Sequence, residues 1–164
     1  NIIKSKTTSW DYNIKEIGFN FRITDLQCAI GIAQIKKIHQ FLKLRRKISK
    51  LYNKLLSNNK NFILPRVDKS FSSAYHLFPI QIKKLKYKNK QKMFNFFKSH
   101  GFQLQVHYKP IFLQEYYKKK YQLNSKLYLN AIKFYKSVIS VPMYPDLNEK
   151  NIRKFSKLLI EYFK

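Results

Sequence analysis

From Thr24 to Leu55 the apolar residues fall at near-helical spacing: Leu26, Ile30, Ala33, Ile35 and Ile38, then Phe41, Leu42, Ile48, Leu51, Tyr52 and Leu55. A period of three to four residues commits this stretch to helix, either one long helix or two in succession. The polar residues 57–61 end it, and Pro65 sits in an extended connection. Beyond that point the period changes. Residues 74–82 alternate and are rich in β-formers, which predicts a strand reaching Ile82. Met93, Phe94, Phe96 and Phe97 fit a helix over 90–99 that stops at His100 and Gly101, with the glycine closing it. Residues 102–108 form a second strand candidate, ended by Pro110, and 138–143 a short buried strand. Between them 126–136 reads as helix, while the aromatic and basic stretch 112–121 is open in structure. Asn148 is placed as an N-cap, with Glu149 behind it, for a terminal helix carrying Ile152, Phe155, Leu158, Leu159 and Tyr162. The order of elements predicts an α+β fold, a small sheet covered by helices.

The 164 residues suffice for one domain with a core, since 45% are hydrophobic and 16% aromatic while glycine and proline are scarce. The net charge of +26 admits two readings. One is a basic binding module contacting nucleic acid or an anionic surface. The other is compositional drift, because lysines are scattered along every segment beside abundant Ile, Asn, Phe and Tyr, with few arginines and no nucleic-acid-binding signature. The distribution favours drift, and with it no specific nucleic-acid partner.

No apolar run approaches the roughly 18 to 20 residues that span a bilayer, and the first residues lack a signal-peptide core, so a cytoplasmic protein is expected. The single cysteine, Cys28, forms no internal disulfide and is expected to pack as a small hydrophobe. The first residue is Asn rather than Met, and the polar opening reads as a fragment of something longer.

Chemistry is concentrated in two places. In the segment Gly18-Phe19-Asn20-Phe21-Arg22, glycine permits a sharp turn and the two phenylalanines are expected to anchor inward, presenting Asn20 and Arg22 from a rigid base. Thr24 then caps the helix that Asp25 opens. An ordinary loop-to-helix junction has the same build. Arg22 carries the stronger signal, its planar fork being suited to phosphate or carboxylate. The second place is the end of the 102–108 strand, where alternation puts Gln105 and His107 on one face and Tyr108 on the other, followed by Lys109 and Pro110. These side chains offer donors to a phosphate or a sugar hydroxyl, and a strand end with His107 satisfied by backbone groups is the plainer alternative. His76 is expected to be buried and structural. The four histidines are dispersed, glycine-rich phosphate loops and paired cysteines are missing, and metal ligation has no support.

Residues 18–31 resemble the Gly-x-Asn-x-Arg segment of the DegT-type sugar-nucleotide aminotransferases, which use pyridoxal phosphate. Three further segments agree in order: Tyr75-His76-Leu77-Phe78-Pro79-Ile80, Gln105-Val106-His107-Tyr108-Lys109-Pro110, and residues 139–145. Within the family the chain is most similar to the pseudaminic acid branch, which aminates a UDP-linked 4-keto-6-deoxy sugar with glutamate as donor.

The resemblance implies the C-terminal part of a fold-type I aminotransferase. Residues 1–37 would end the large cofactor domain and start a linking helix, and 38–164 would form the small domain. It implies Asn20 at the cofactor phosphate of the neighbouring subunit, in a homodimer with shared active sites. It also implies Arg22, His107, Tyr108, Lys109 and Pro110 at the nucleotide sugar. The family's Schiff-base lysine and the aspartate that pairs with the pyridinium nitrogen have no counterpart here, so the fragment alone is expected to be inactive.

Overall fold

A computed structural model describes residues 2–4, 12–14, 19 and 21–164. The chain forms two compact units, Asn1–Ile38 and His39–Lys164. In the first, strands β1 (Ile2–Lys4) and β2 (Tyr12–Ile14) pair antiparallel, with Ile2 opposite Ile14, a pairing the sequence pattern did not announce.

Helix α1 (Asp25–Ile35) opens as expected. Thr24 Oγ1 accepts from the Gln27 amide at 3.3 Å while Gln27 Oε1 accepts from the Thr24 amide at 2.9 Å, a reciprocal capping box. The periodic stretch is two helices rather than one long linking helix. At Lys36 and Lys37 the backbone tightens, the Lys37 amide closing on the Gln34 carbonyl only three residues back, and α2 (Ile38–Leu56) starts afresh.

The second unit is built on α2, whose residues Ile48, Ser49, Tyr52 and Leu56 are buried. A three-stranded antiparallel sheet follows in the order β3 (Phe62–Ile63), β4 (Pro79–Ile82), β5 (Val138–Ser140). Ile80 stands opposite Ile139 and Phe62 opposite Ile82. The helices are α3 (Lys90–Ser99), α4 (Glu115–Tyr121), α5 (Leu129–Ser137) and α6 (Glu149–Tyr162). Asn148 caps α6 through a 2.8 Å bond from the Asn151 amide, and Gly101 (φ +86°) follows α3 in the left-handed conformation that glycine tolerates.

Aromatic packing centres on the fully buried Phe155. Its ring centroid lies 5.2 Å from those of Phe97 and Phe102 and 6.2 Å from that of Tyr52, which itself stacks on Phe78 at 5.2 Å. Each such ring buried stabilises the fold by about 1.5–3 kcal/mol. The Tyr52 hydroxyl donates to the Pro142 carbonyl at 3.0 Å, and burial raises its pKa far above the ordinary value, which keeps it a donor.

All three expected strands are shorter than expected, the one over 138–143 ending at Ser140. Residues 74–78 are irregular, because Tyr75 adopts φ +47° and turns its own carbonyl and that of His76 toward one cation. That cation is Arg45 of α2, whose Nη1 donates to Tyr75 O at 3.1 Å, His76 O at 3.1 Å and, from the far side of the sequence, Met143 O at 2.9 Å. The left-handed region costs a non-glycine residue about 1–2 kcal/mol, and a charged donor shared by three carbonyls outweighs that. Residues 102–108 likewise reduce to a single bridge between Gln105 and Ser140.

Lys90 reaches the other end of the sheet. It is buried, and its Nζ donates to the carbonyls of Tyr135 at 2.5 Å and Val138 at 2.8 Å, closing the C-terminus of α5 where β5 begins. Burial lowers its pKa from 10.5 to about 8.

Replacing Arg45 with Met should lower unfolding free energy by about 2–3 kcal/mol in urea titrations, since three carbonyls lose one charged donor; an unchanged midpoint would remove the clamp. Lys90 gives a pH signature of definite sign. Between about pH 8 and 10.5 the unfolded chain holds a proton on Lys90 that the folded chain has released. Its contribution to stability therefore rises with pH across that window. The stability difference between wild type and Lys90→Met, followed by denaturation at each pH, should move in favour of wild type as pH rises, and a flat difference would contradict the assignment.

Candidate functional site

The bridge between Gln105 and Ser140 is the hinge of the site. The Gln105 amide donates to Ser140 O at 3.3 Å and the Ser140 amide to Gln105 O at 2.7 Å, so the 102–107 segment lies against β5 in fixed register. Two residues on, His107 meets the buried Ser140 side chain, Nδ1 and Oγ being 2.8 Å apart. That bond fixes the imidazole about one nitrogen and leaves Nε2 for another partner. Gln105 and His107 share a face, as alternation requires, and both line a cleft of about 740 Å³.

The remaining walls come from four places in the chain. His76 and Leu77 precede β4, His100 to Gln103 follow α3, Val141 to Tyr144 follow β5, and Asn151 and Lys154 stand on the first turns of α6. Arg45 and Tyr52 hold two of these walls from behind, through the carbonyls of His76, Met143 and Pro142. His76 is therefore not the buried structural residue its apolar neighbours suggested. Its backbone is clamped, and its exposed side chain faces the cleft. His100 is oriented by a 2.8 Å bond between Nδ1 and the Phe96 carbonyl.

The lining contains three histidines, one lysine, two glutamines and one asparagine, and no Asp or Glu. Such a wall favours an anion and offers amide donors and acceptors for hydroxyls. His100, Asn151, Lys154 and Ser140 were missed as site residues in the sequence, because they are drawn together only by the sheet and α6.

The loop beyond His107 goes elsewhere. Tyr108 is 76% exposed, its ring edge-on to His107 at 4.8 Å, and the peptide between them is cis. Lys109 lines a different cavity, of about 440 Å³, with Leu113, Ile132, Tyr135 and Lys136. Pro110 opens a short 3₁₀ turn, Ile111–Leu113. Of the four loop residues named from sequence, His107 alone lines the 740 Å³ cleft.

In the first unit Gly18 and Asn20 lie outside the described residues. Arg22 is exposed, its Nη1 donating to Phe21 O at 3.3 Å. Phe19 and Phe21 do not anchor inward: they are 88% and 83% exposed, ring against ring at 5.5 Å. Cys28 is half-buried on a helix that buries none of its residues, so it does not pack within a core.

Pyridoxal phosphate requires an amine for its aldehyde and a carboxylate for its ring nitrogen. The described residues do not fit that group. No carboxylate lines the cleft, Lys154 lies over Phe102 with its Nζ on the His100 carbonyl, and Lys90 is engaged at the end of α5. No group of His, Cys, Asp and Glu among them is placed to hold a metal, and no helix among them is long and apolar enough to cross a membrane.

The chain is similar to a set of aminotransferases along nearly its whole length. It is 34% identical over 148 residues to the UDP-4-amino-4,6-dideoxy-N-acetyl-beta-L-altrosamine transaminase of Campylobacter jejuni, covering 90% of this chain and 39% of that protein. Helicobacter pylori PseC, described as an aminotransferase involved in the biosynthesis of pseudoaminic acid, superposes with a TM-score of 0.78 at 26% identity, covering 99% of this chain and 43% of that one. The PLP-form of a putative sugar aminotransferase from Streptococcus pneumoniae shares the fold, with a TM-score of 0.80 at 20% identity, over 92% of this chain and 38% of the other. The chain thus spans about two fifths of the length of these relatives. The DegT/DnrJ/EryC1/StrS aminotransferase family profile matches residues 3–159, and the chain belongs to that family.

Proposed function

We propose that this chain is the C-terminal part of a pyridoxal-phosphate-dependent aminotransferase that moves an amino group from glutamate to a UDP-linked 4-keto-6-deoxy sugar, in the cytoplasm, on the route to pseudaminic acid. The observation that carries this reading is the match to the Campylobacter jejuni transaminase across 90% of the chain. The cleft supports it, since a carboxylate-free wall of imidazoles, amides and Lys154 suits a sugar linked to a diphosphate.

In this reading His107, set by Ser140, touches the sugar nucleotide in the cleft, and Tyr108, Lys109 and Pro110, which do not line the cleft, meet the substrate from the loop that leaves it at His107. Arg22 faces the diphosphate, and Asn20 reaches the cofactor phosphate of a second copy in a homodimer with shared sites. Residues 1–37 belong to the large cofactor domain and 38–164 to the small one. Helix α1 supports that division. Leu26, Ile30, Ile32 and Ile35 are all more than half exposed, and a helix apolar round its circumference is a core helix of a larger body. The Schiff-base lysine belongs to the part of the relatives' length that these residues do not span.

The test is a chimera in which these residues replace the matching segment of the Campylobacter jejuni transaminase, assayed by 2-oxoglutarate released from glutamate with the UDP-linked keto sugar. The chimera should turn over and the 164-residue chain alone should not. In the chimera Arg22→Ala should raise KM for the nucleotide sugar by about tenfold or more, the loss of a charged contact worth about 1.4 kcal/mol or more. A folded chimera without activity would contradict the function, and an unchanged KM would remove Arg22 from the substrate site.

A further inference from the structure

Helices α2 and α6 leave a groove along their seam, away from the 740 Å³ cleft and sharing none of its lining residues. Two cavities follow one another there. The first, of about 350 Å³, lies between Ile48 and Leu51 of α2 and Leu147 and Ile152 at the start of α6. The second, of about 330 Å³, lies between Leu55 and the pair Ser156 and Ile160. Leu44, Ile48, Leu51 and Leu55 recur at intervals of four, three and four residues, so the apolar floor is one continuous helical stripe about 16 Å long.

Beside that stripe runs a second one at the same intervals, Lys43, Lys47, Lys50 and Lys54, all exposed. Glu149, the one carboxylate lining the first cavity, pairs with Arg153, Nη2 to Oε1 at 2.6 Å, and also feels the charges of Lys47 and Lys54, a single carboxylate against four lysines.

We propose that this groove docks an acidic amphipathic helix of a partner protein, its apolar ridge filling the two cavities and its carboxylates meeting Lys47, Lys50 and Lys54. Both stripes follow helical spacing, and a floor about 16 Å long takes about three turns of a helix as a ridge enters a groove. A bilayer is the poorer fit. The apolar side chains here form a half-buried floor with lysines projecting beyond it, whereas a membrane-binding face projects its apolar groups.

The probe is a fluorescein-labelled synthetic peptide of about three and a half turns, with Leu at positions repeating every four and three residues and Glu on both flanks. Its anisotropy is titrated with the 164-residue protein at physiological ionic strength. It should bind, and Lys47→Glu with Lys50→Glu should weaken binding by about tenfold or more while leaving the far-UV spectrum and melting curve in place. A scrambled peptide of the same composition should bind about tenfold more weakly than the amphipathic one. No binding, equal binding of the scrambled peptide, or indifference to charge reversal would each overturn the proposal. Binding to phosphatidylserine vesicles that depends on the same lysines, without binding to the peptide, would overturn it in favour of a lipid surface.

Discussion

The cleft of the second unit depends on Arg45. One guanidinium nitrogen gathers the adjacent carbonyls of Tyr75 and His76 and that of Met143, 67 to 68 residues further along the sequence, and ties them to α2. Without it the connection into β4 has no reason to turn through the left-handed conformation at Tyr75, and the turn after β5 loses its tether. Both segments carry cleft side chains, His76 on one and Met143 and Tyr144 on the other. The Tyr52 hydroxyl repeats the device two turns along α2, on the neighbouring Pro142 carbonyl. Helix α2 thereby places the walls of a site to which it contributes no lining residue.

The charge of the chain takes a more specific meaning in this frame. A net +26 spread over 164 residues says little by itself, and lysine abundance accompanies abundant Ile, Asn, Phe and Tyr. What matters is where carboxylates are missing. Three described ion pairs lie on exposed helix faces at i,i+4 spacing, where such pairs contribute a few tenths of a kcal/mol each, and none reaches the cleft. Histidines, amides and one lysine are left to set the potential there.

Most helices were legible because their information is local. The Thr24 and Asn148 caps, the 90–99 helix with Gly101 behind it and the stripe of α6 rest on spacing and side-chain bonds within a few residues. The strands were harder. Alternation over 74–82 and 102–108 overstated them, because Arg45 captures the backbone of the first and the second pairs only at Gln105. The site was partly legible: the face shared by Gln105 and His107 follows from the two-residue period, but Ser140, Asn151 and Lys154 reach it by tertiary packing. His76 was misread for a related reason, since its apolar neighbours describe the core side of the chain and its own side chain turns the other way. Phe19 and Phe21 were misread because inward anchoring needs a surface to anchor against, and nothing among the described residues covers them.

A nucleotide-linked sugar bound in the cleft between Gln105, His107 and α6 would change the surroundings of the groups that line it, and this can be observed. Backbone and imidazole chemical shifts of the 164-residue protein, followed while UDP-N-acetylglucosamine is added, address it directly. Saturable changes centred on Gln105, His107, Ser140 and Asn151 are expected. Changes confined to the cavity of Lys109 and Leu113, or none in the cleft at saturating nucleotide sugar, would contradict binding in the cleft.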